Sequence, residues 1–205
     1  MSLRFGIMAS GVGQQGPTVI AHDVSSSSPL TVSAHANNDI LLFCNNQTSG
    51  GGTIPSTTSG FTSLATLATD LFIGSNYIGT RLQWRVSDGT ITSITTANAG
   101  GSVWIVRGVT SARGGLAGTG GISGVTSLGL PDLSGLNTGG TSLLVGAACR
   151  QLAGAAISAV TSPFTLTDSL YGKVANNTAS SSGASKSLTQ PSGTGDNCFV
   201  AEFLV

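Results

Sequence analysis

Residues 81–86 read R-L-Q-W-R-V, and this stretch does most to decide the fold class. Its apolar and polar residues alternate, with Leu82, Trp84 and Val86 set against Arg81, Gln83 and Arg85. Successive side chains of a strand point to opposite faces, so this alternation is typical of a half-buried β-strand. Ser87-Asp88-Gly89-Thr90 follows, and then I-T-S-I-T-T. Asp-Gly accommodates the positive φ values of a two-residue turn, so the stretch predicts a β-hairpin.

Strand patterns continue along the rest of the chain, and no window carries a helical period. Glycine, with 30 residues, and the β-branched residues interrupt every window that is long enough for a helix. Further strands are predicted at residues 17–24, 30–34, 40–44, 61–66, 102–109, 143–149, 164–167 and 198–205. The predicted fold class is therefore all-β, an antiparallel two-sheet β-sandwich. Jelly-roll and immunoglobulin-like sandwiches share this pattern.

The order of the apolar segments repeats weakly between the two halves of the chain. The first half contains D-I-L-L-F-C, S-G-F-T-S-L, L-Q-W-R-V and S-V-W-I-V-R-G-V. The second contains T-S-L-L-V-G-A-A-C, S-P-F-T-L, L-Y-G-K-V and N-C-F-V-A-E-F-L-V. The spacing from Leu41 to Phe61 is close to that from Leu143 to Phe164. Two such units, neither able to cover its own apolar face, are expected to close on each other as one sandwich.

Two long segments rich in glycine, serine and threonine interrupt the strand pattern, at residues 45–59 and 111–140. Both are too long for hairpin turns and too poor in apolar periodicity for helices, so they are predicted to be loops. The predicted organisation is an N-terminal arm at residues 1–16 and a single sandwich domain at residues 17–205 that carries these loops.

Charge is scarce in this chain of 205 residues. Charged residues make up 8%, eight acidic and eight basic residues cancel, and hydrophobic residues make up 40%. An ordinary globular domain carries about a quarter charged residues, so neutral polar residues must cover this surface. Such an exterior tolerates permanent contact with neighbours, which favours an assembly component. The lack of a basic run argues against nucleic-acid binding, and no window has the pattern of a membrane span or a secretory signal.

Motifs for catalysis and cofactor binding are weak. Gly11, Gly13 and Gly16 form a G-x-G-x-x-G pattern, but Pro17 and β-branched residues follow it. Dinucleotide binding needs a helix N-terminus at that place, so this pattern is predicted to be a flexible arm or turn. No nucleophile elbow, Cys-His arrangement or acid-rich loop singles out an active site. We therefore expect a protein that is not an enzyme and has no cofactor or resident metal.

Histidines and cysteines show no metal-ligand spacing. His22 and His35 are expected on neighbouring strands, as polar surface side chains or, alternatively, as a Zn or Ni site shared between subunits. Three cysteines lie in apolar stretches and are predicted to be buried thiols: Cys44, Cys149 and Cys198. Their odd number argues against a disulfide framework.

Several other polar and aromatic residues have a structural interpretation. Arg107 stands among apolar neighbours and is expected to form an ion pair with an aspartate at the end of a sheet. Residues 37–39, N-N-D, offer oxygens that suit calcium, but such a cluster without a second carboxylate more often makes a turn. Trp84 and Trp104 stand in apolar strands, so we expect both rings to be buried.

Four side chains are candidates for contact with a ligand or partner. Tyr77 and Tyr171 lie near Gly and Asn, and therefore near the expected surface. Asn46 and Gln47 stand in the predicted loop at residues 45–59. Exposed rings and amides are groups that bind glycans or neighbouring proteins.

These motifs together resemble a family of structural proteins found in tailed-phage virions and prophage regions. The resemblance is carried by Asp39-Ile40-Leu41-Leu42, Gly60-Phe61-Thr62, Trp84-Arg85-Val86, Asp88-Gly89-Thr90 and Val106-Arg107-Gly108-Val109. It covers residues 17–205, with Phe61 where the family more often has Trp. The resemblance implies a jelly-roll-like β-sandwich that serves as decoration, fibre or host-attachment module in phage heads or tails, often as a trimer.

The leading expectation is a non-enzymatic virion structural protein, either a head-decoration or fibre subunit or a tail fibre or host-attachment subunit. Its expected location is the virion, assembled in the host cytoplasm. The expected partners are other virion proteins, further copies of this chain with a trimer favoured, and a host-surface glycan in an attachment role. The alternative is a carbohydrate-binding, receptor-recognition module with a shallow site between the long loops. An esterase or glycosidase is the third reading.

Overall fold

The all-β fold class predicted from the alternation is confirmed. The computed structural model describes residues 16–72, 76–121, 124–133, 142–149, 156–162, 164–168, 173–176, 186–193 and 195–205. Within these ranges the strands form antiparallel sheets and no helix occurs. Two five-stranded sheets pack face to face, and a small sheet lies near the outer face of each.

The first half of the chain builds one large and one small sheet. The large sheet has the order β1 (Thr18–Ser25), β7 (Gly101–Arg107), β3 (Asn37–Ser49), β5 (Asn76–Asp88) and β4 (Thr62–Phe72). The small sheet pairs β2 (Leu30–Thr31) with β6 (Ser93–Ile94). Sheet order and sequence order differ because the chain leaves the large sheet twice. It forms β2 between β1 and β3, and it forms β6 between β5 and β7.

The second half builds the same arrangement again. Its large sheet has the order β12 (Thr165–Asp168), β13 (Lys173–Asn176), β10 (Leu143–Ala148), β15 (Asp196–Leu204) and β8 (Ser111–Thr119). Its small sheet has three strands, β11 (Ala159–Val160), β14 (Ser187–Thr189) and β9 (Ser127–Gly129).

The internal repeat expected from the sequence is confirmed by this topology. Read as β8-β15-β10-β13-β12, the second large sheet matches β1-β7-β3-β5-β4 strand for strand. The small sheets match as well, since β9 pairs with β14 as β2 pairs with β6. Only β11 lacks a counterpart among the strands of the first half. The repeat is therefore more extensive than the four apolar segments that predicted it.

The main core lies between the two large sheets. Trp104 of β7 and Phe199 of β15, which lie on corresponding strands of the two halves, meet edge to face with ring centroids 4.7 Å apart. Both rings are fully buried, among apolar side chains of β3, β5, β10 and β15. The burial predicted for Trp104 is confirmed, whereas Trp84 packs against this core only half-buried.

Each large sheet is also covered on its outer face. Leu41, Phe43 and Ile105 of the first large sheet pack with Leu30 and Ile94 of its small sheet. Leu144, Cys198 and Val200 pack in the same way with Leu128 and Leu188 in the second half. Burial on both faces explains the continuous apolar runs in β3 and β10, since neither face of these strands meets water.

The predicted hairpin at residues 81–96 is wrong. Gly89 does adopt a positive φ of 78°, but β5 pairs with β3 and β4, and β6 pairs with β2 in the small sheet. The alternation of β5 is present in its middle, while Val86 near its end is 44% exposed. Gly89 therefore has the predicted conformation, but the chain passes here from the large sheet to the small sheet instead of forming a hairpin.

Both predicted long loops contain strand. Residues 45–49 continue β3, and residues 111–119 form β8, which pairs along its whole length with β15. Glycine in β8 reflects close packing: a Cβ at Gly118 would overlap Thr69 Oγ1, and one at Gly114 would lie 2.8 Å from Leu82 Cδ2. Glycine was read as a loop signal, but here it lets one sheet edge approach the other.

The jelly-roll arrangement stays a prediction. Each large sheet draws all its strands from one half of the chain, so the two halves close on each other as the sequence repeat predicted. The expected arm at residues 1–16 lies almost wholly outside the described residues.

Candidate functional site

A polar network crosses the interface between the two large sheets. Asn46 Nδ2 donates to the Cys149 carbonyl at 2.6 Å, and its Oδ1 accepts from Thr80 Oγ1 at 2.8 Å. Asn197 Nδ2 donates to Thr80 Oγ1 at 2.8 Å, and its Oδ1 accepts from the Thr69 hydroxyl. Asn46, Thr80 and Asn197 are fully buried. These bonds satisfy polar groups inside the sandwich and fix how the sheets lie on each other.

The four candidate contact residues are placed very differently. Asn46 belongs to the buried network, so the expectation of an exposed contact fails there, because β3 extends through this position. Gln47 is half-buried and lines an open groove. Tyr77 is half-buried, with its ring beside Gly52, and it is not one of the residues that line that groove. Tyr171 lies outside the described residues.

Asp39 and Arg107 form the ion pair expected at the end of the sheet. Arg107 Nε and Nη2 donate to the two carboxylate oxygens of Asp39 at 2.9 and 2.8 Å. The Arg107 guanidinium, together with the Ala36 amide, lowers the pKa of Asp39 below its ordinary value, although burial of the carboxylate opposes this. Asn38 has a positive φ of 70°, so the N-N-D segment makes the expected turn.

A second ion pair joins Arg113 of β8 to Glu202 of β15, directly across the strand pair. Glu202 is fully buried, and the Arg113 side chain is 37% exposed. In both pairs the carboxylate is buried and the arginine is partly exposed, so each arginine compensates an acidic group inside the fold.

Histidines and cysteines form no metal centre in the described part of the chain. His22 stacks on Trp104, with ring centroids 4.1 Å apart. His35 Nδ1 lies 2.8 Å from the Ser33 carbonyl. All three cysteines are free and buried, as predicted. Burial raises the pKa of the Cys149 thiol, and contact with Cys44 raises it further, so this thiol is unreactive at neutral pH.

An open groove of about 640 Å³ lies on the outer face of the first large sheet. One wall is residues 55–59, from the connection between β3 and β4, and the other is residues 93–97, which include β6. The remaining lining residues are Asn45, Gln47, Phe61, Arg85 and Ile91. We call this space the outer groove.

The first wall is held by polar side chains of β5. Gln83, fully buried, accepts a hydrogen bond from the Thr58 amide and donates one to Thr58 Oγ1, both at 2.9 Å. Arg81 Nε donates to the Pro55 carbonyl at 2.6 Å. Because both ends of the wall are bonded to β5, the space between the wall and β6 stays open.

The floor of the outer groove is apolar and its rim carries hydroxyl groups. Phe61 is 9% exposed and packs on Phe43, with ring centroids 5.8 Å apart, while the Arg85 guanidinium lies 5.8 Å from the Phe61 ring centroid. Thr96 Oγ1 is buried beside the groove and has no hydrogen-bond partner among the residues that the structure describes. Arg85, which pairs with Asp88, is the single charged residue among the described lining residues.

This arrangement suits binding and offers no set of catalytic groups in the residues that line it. Neutral hydroxyls, amides and backbone groups surround an apolar floor, which fits an uncharged ligand. The sequence points to Gln47 and includes residues 55–59 in a loop beside a shallow site, but it does not identify Ser93 and Thr95. The hydroxyl-rich run P-S-T-T-S was a signal for that wall, but nothing in the sequence placed it opposite β6.

The described residues include no helix long and apolar enough to cross a membrane. Comparison with protein-family models, with curated proteins and with solved structures found no match for this chain. Its function is therefore inferred from the residues and their geometry.

Proposed function

We propose that this chain is a non-enzymatic structural subunit of a tailed-phage particle, acting by permanent contact with neighbouring subunits. The observation that carries the proposal is that buried carboxylates are paired with arginines and that the groove surface is largely uncharged. Asp39 is bonded to Arg107 and Glu202 to Arg113, while the exposed lining of the outer groove is mostly hydroxyl groups. A surface with few charges, as 8% charged residues implies, gains little from repulsion between molecules and suits close assembly.

Contact would be made through strand edges and neutral polar side chains. β1 and β12 stand at the ends of the two large sheets, and β6 stands at the edge of a small one. Exposed edges present unpaired backbone groups, which bind other chains unless they are blocked. Other virion proteins and further copies of this chain, with a trimer favoured, are the proposed partners, and the virion is the proposed location.

The test is the molar mass in solution, measured by light scattering after gel filtration over a wide concentration range. We expect a stable oligomer that Ile20→Lys weakens, because Ile20 is 38% exposed on the edge strand β1 and a charge there blocks edge pairing. Val86→Lys is the control, since Val86 is 44% exposed on β5, an interior strand of the same sheet that pairs with β3 at this residue. A strict monomer at every concentration contradicts the proposal.

Carbohydrate recognition is the second candidate function, and the hydroxyl-lined outer groove favours it. Phe61 is the one aromatic residue among its described lining residues, and its ring is turned into the core. A sugar would therefore be held by hydrogen bonds without a broad ring to stack on. Binding on a glycan array that Gln47→Ala abolishes would favour this function, and an array without binding counts against it.

A further inference from the structure

The outer groove occupies a place that is filled in the second half of the chain. The Phe61 amide donates to the Thr58 carbonyl at 3.0 Å, and the Phe164 amide donates to the Thr161 carbonyl at 3.3 Å. These matching turns align residues 55–58 with residues 158–161, the segment that contains β11. The two halves can therefore be compared position by position at this site.

In the second half this segment completes the small sheet. Ser158 N donates to the Thr189 carbonyl at 2.7 Å, and Thr161 N donates to the Ser187 carbonyl at 3.1 Å. β11 thus adds antiparallel to the edge of β14, and Val160 packs against the apolar cluster beneath. Every backbone edge position between Ser187 and Thr189 faces a neighbouring strand.

In the first half the matching edge is open. Val32 N donates to the Thr92 carbonyl at 2.9 Å, and Leu30 pairs with Ile94. Backbone groups alternate in direction along a strand, so those of Ser93 and Thr95 point away from β2 and toward the groove. Both residues are exposed, and within the described ranges no backbone hydrogen bond joins them to the opposite wall.

The first half is unable to close this edge as the second half does. Pro55 stands where Ser158 donates its amide, and proline has no N–H. The amide of Thr58, which matches Thr161, is already bonded to Gln83. The open edge is therefore built into the sequence of the wall, and it does not depend on a chance displacement of a loop.

We propose that the outer groove receives an extended, uncharged polypeptide segment of a partner protein, which adds to β6 as a third strand. This inference rests on the proposed function and names how a neighbour is held. Backbone groups of Ser93 and Thr95 bond the incoming strand, as their counterparts bond β11. An aliphatic side chain of that strand covers Ile94 and Phe61, as Val160 covers the matching cluster. Thr96 Oγ1, buried and unpartnered, gains a group to bond.

The chemistry of the groove favours a peptide over a sugar. The matching occupant in this chain, S-A-V-T at residues 158–161, is uncharged and alternates small polar with aliphatic residues. The groove offers an apolar floor for the aliphatic side chain and a ladder of backbone groups for the strand. Its one charged lining residue, Arg85, is paired with Asp88, so a charged segment gains nothing there.

The test uses a fluorescent, end-capped synthetic peptide with the sequence I-S-A-V-T-S, residues 157–162, and the full chain. We expect saturable binding in fluorescence anisotropy. Ser93→Pro removes the groove-facing amide and should weaken binding about tenfold or more, while Ser93→Ala keeps that amide and should change it less than about twofold. Because Ser93 does not donate to β2, neither variant breaks the existing pair.

A second arm leaves the protein unchanged, so it holds even if Ser93→Pro unfolds the chain. Peptides methylated at alternate backbone nitrogens should divide into one set that binds and one that does not, since only alternate amides face β6. Equal binding by both sets, or equal binding by Ser93→Pro and the unmodified chain, overturns the inference. Displacement of the peptide by a neutral oligosaccharide, or self-association that Ser93→Pro abolishes, also overturns it by naming another occupant. An oligomer without peptide binding overturns this inference alone, whereas peptide binding by a strict monomer counts against the proposed assembly.

Discussion

The two halves of the molecule share one strand order but finish their outer sheets differently. The second half adds β11 to its small sheet, whereas the first half holds the matching segment against β5 and leaves β6 exposed. Repetition of a fold therefore does not repeat its surface. A proline and a glutamine at particular positions decide whether an edge is used within the chain or offered outside it.

The corresponding edge strands β1 and β8 differ in whether the packing around them requires glycine. Val24 of β1 pairs with Ser102 of β7, and Gly118 of β8 pairs with Asn197 of β15. β8 lies close against β4 of the opposite sheet. Close approach of the backbones requires glycine in β8, and this constraint is absent at Val24.

Substitutions at Gly118 and Val24 should give the largest difference in stability. Gly118→Val places a side chain against Thr69 and within 2.8 Å of Asn197 Oδ1, so we expect a loss of about 3 kcal/mol in the free energy of unfolding. Val24→Gly removes a half-buried side chain without a clash and should cost about 1 kcal/mol. Urea denaturation measures both. Equal losses would mean that β8 and β1 are not packed differently.

A smaller effect is expected at Asn197 and Ser102, the residues that pair with Gly118 and Val24. Asn197→Ser removes bonds to Thr80 and to the Ile78 carbonyl inside the sandwich, which should cost about 2 kcal/mol. Ser102 is fully buried and its hydroxyl has no partner in the described part of the chain, so Ser102→Ala should change stability by less than about 0.5 kcal/mol or raise it. Thermal and urea unfolding of both variants check this. A large loss of stability in Ser102→Ala would show that Ser102, like Asn197, makes a polar contact that stabilises the sandwich.

The smallest effect concerns the rim ion pair and depends on pH. The pKa of Asp39 is lower in the folded than in the unfolded chain, so its carboxylate contributes stability above about pH 4, the unfolded value. That contribution is lost as the pH falls through the folded pKa. Asp39→Asn should therefore lower stability by about 1 kcal/mol at pH 7, since Arg107 is half-exposed, and by less at pH 3. A difference that stayed constant from pH 7 to pH 2 would rule out this pair as its source.

Much of the fold followed from the sequence because its signals are local. Alternation predicted the β class, the order of apolar runs predicted the repeat, and apolar neighbours placed Arg107 in an ion pair. Partner choice is not local: β5 and β6 have the turn of a hairpin, yet β6 finds β2 across the chain. The glycines of β8 were ambiguous for the same reason, since a loop and a tight sheet contact use the same residue.

The sequence alone does not predict the open edge of β6, because that edge is recognised by comparing the two halves of the structure. Pro55 is an unremarkable loop residue until Ser158 is known to donate its amide at the matching place. The polar run after Cys44 predicts a loop that includes Asn46, although β3 continues through this position. The matching turns before Phe61 and Phe164 align the two halves and supply this information, whereas residue identity alone does not.

The contact between Trp104 and Phe199 has a consequence for how the two copies of the repeat can diverge. Each inner face is packed against its own counterpart, so a change of volume on one side must be matched on the other. Outer layers carry no such mutual restraint, since each small sheet covers only its own half. Sequence drift should therefore accumulate outside and leave the interior alike, which makes the periphery the place where a repeated unit acquires a new role.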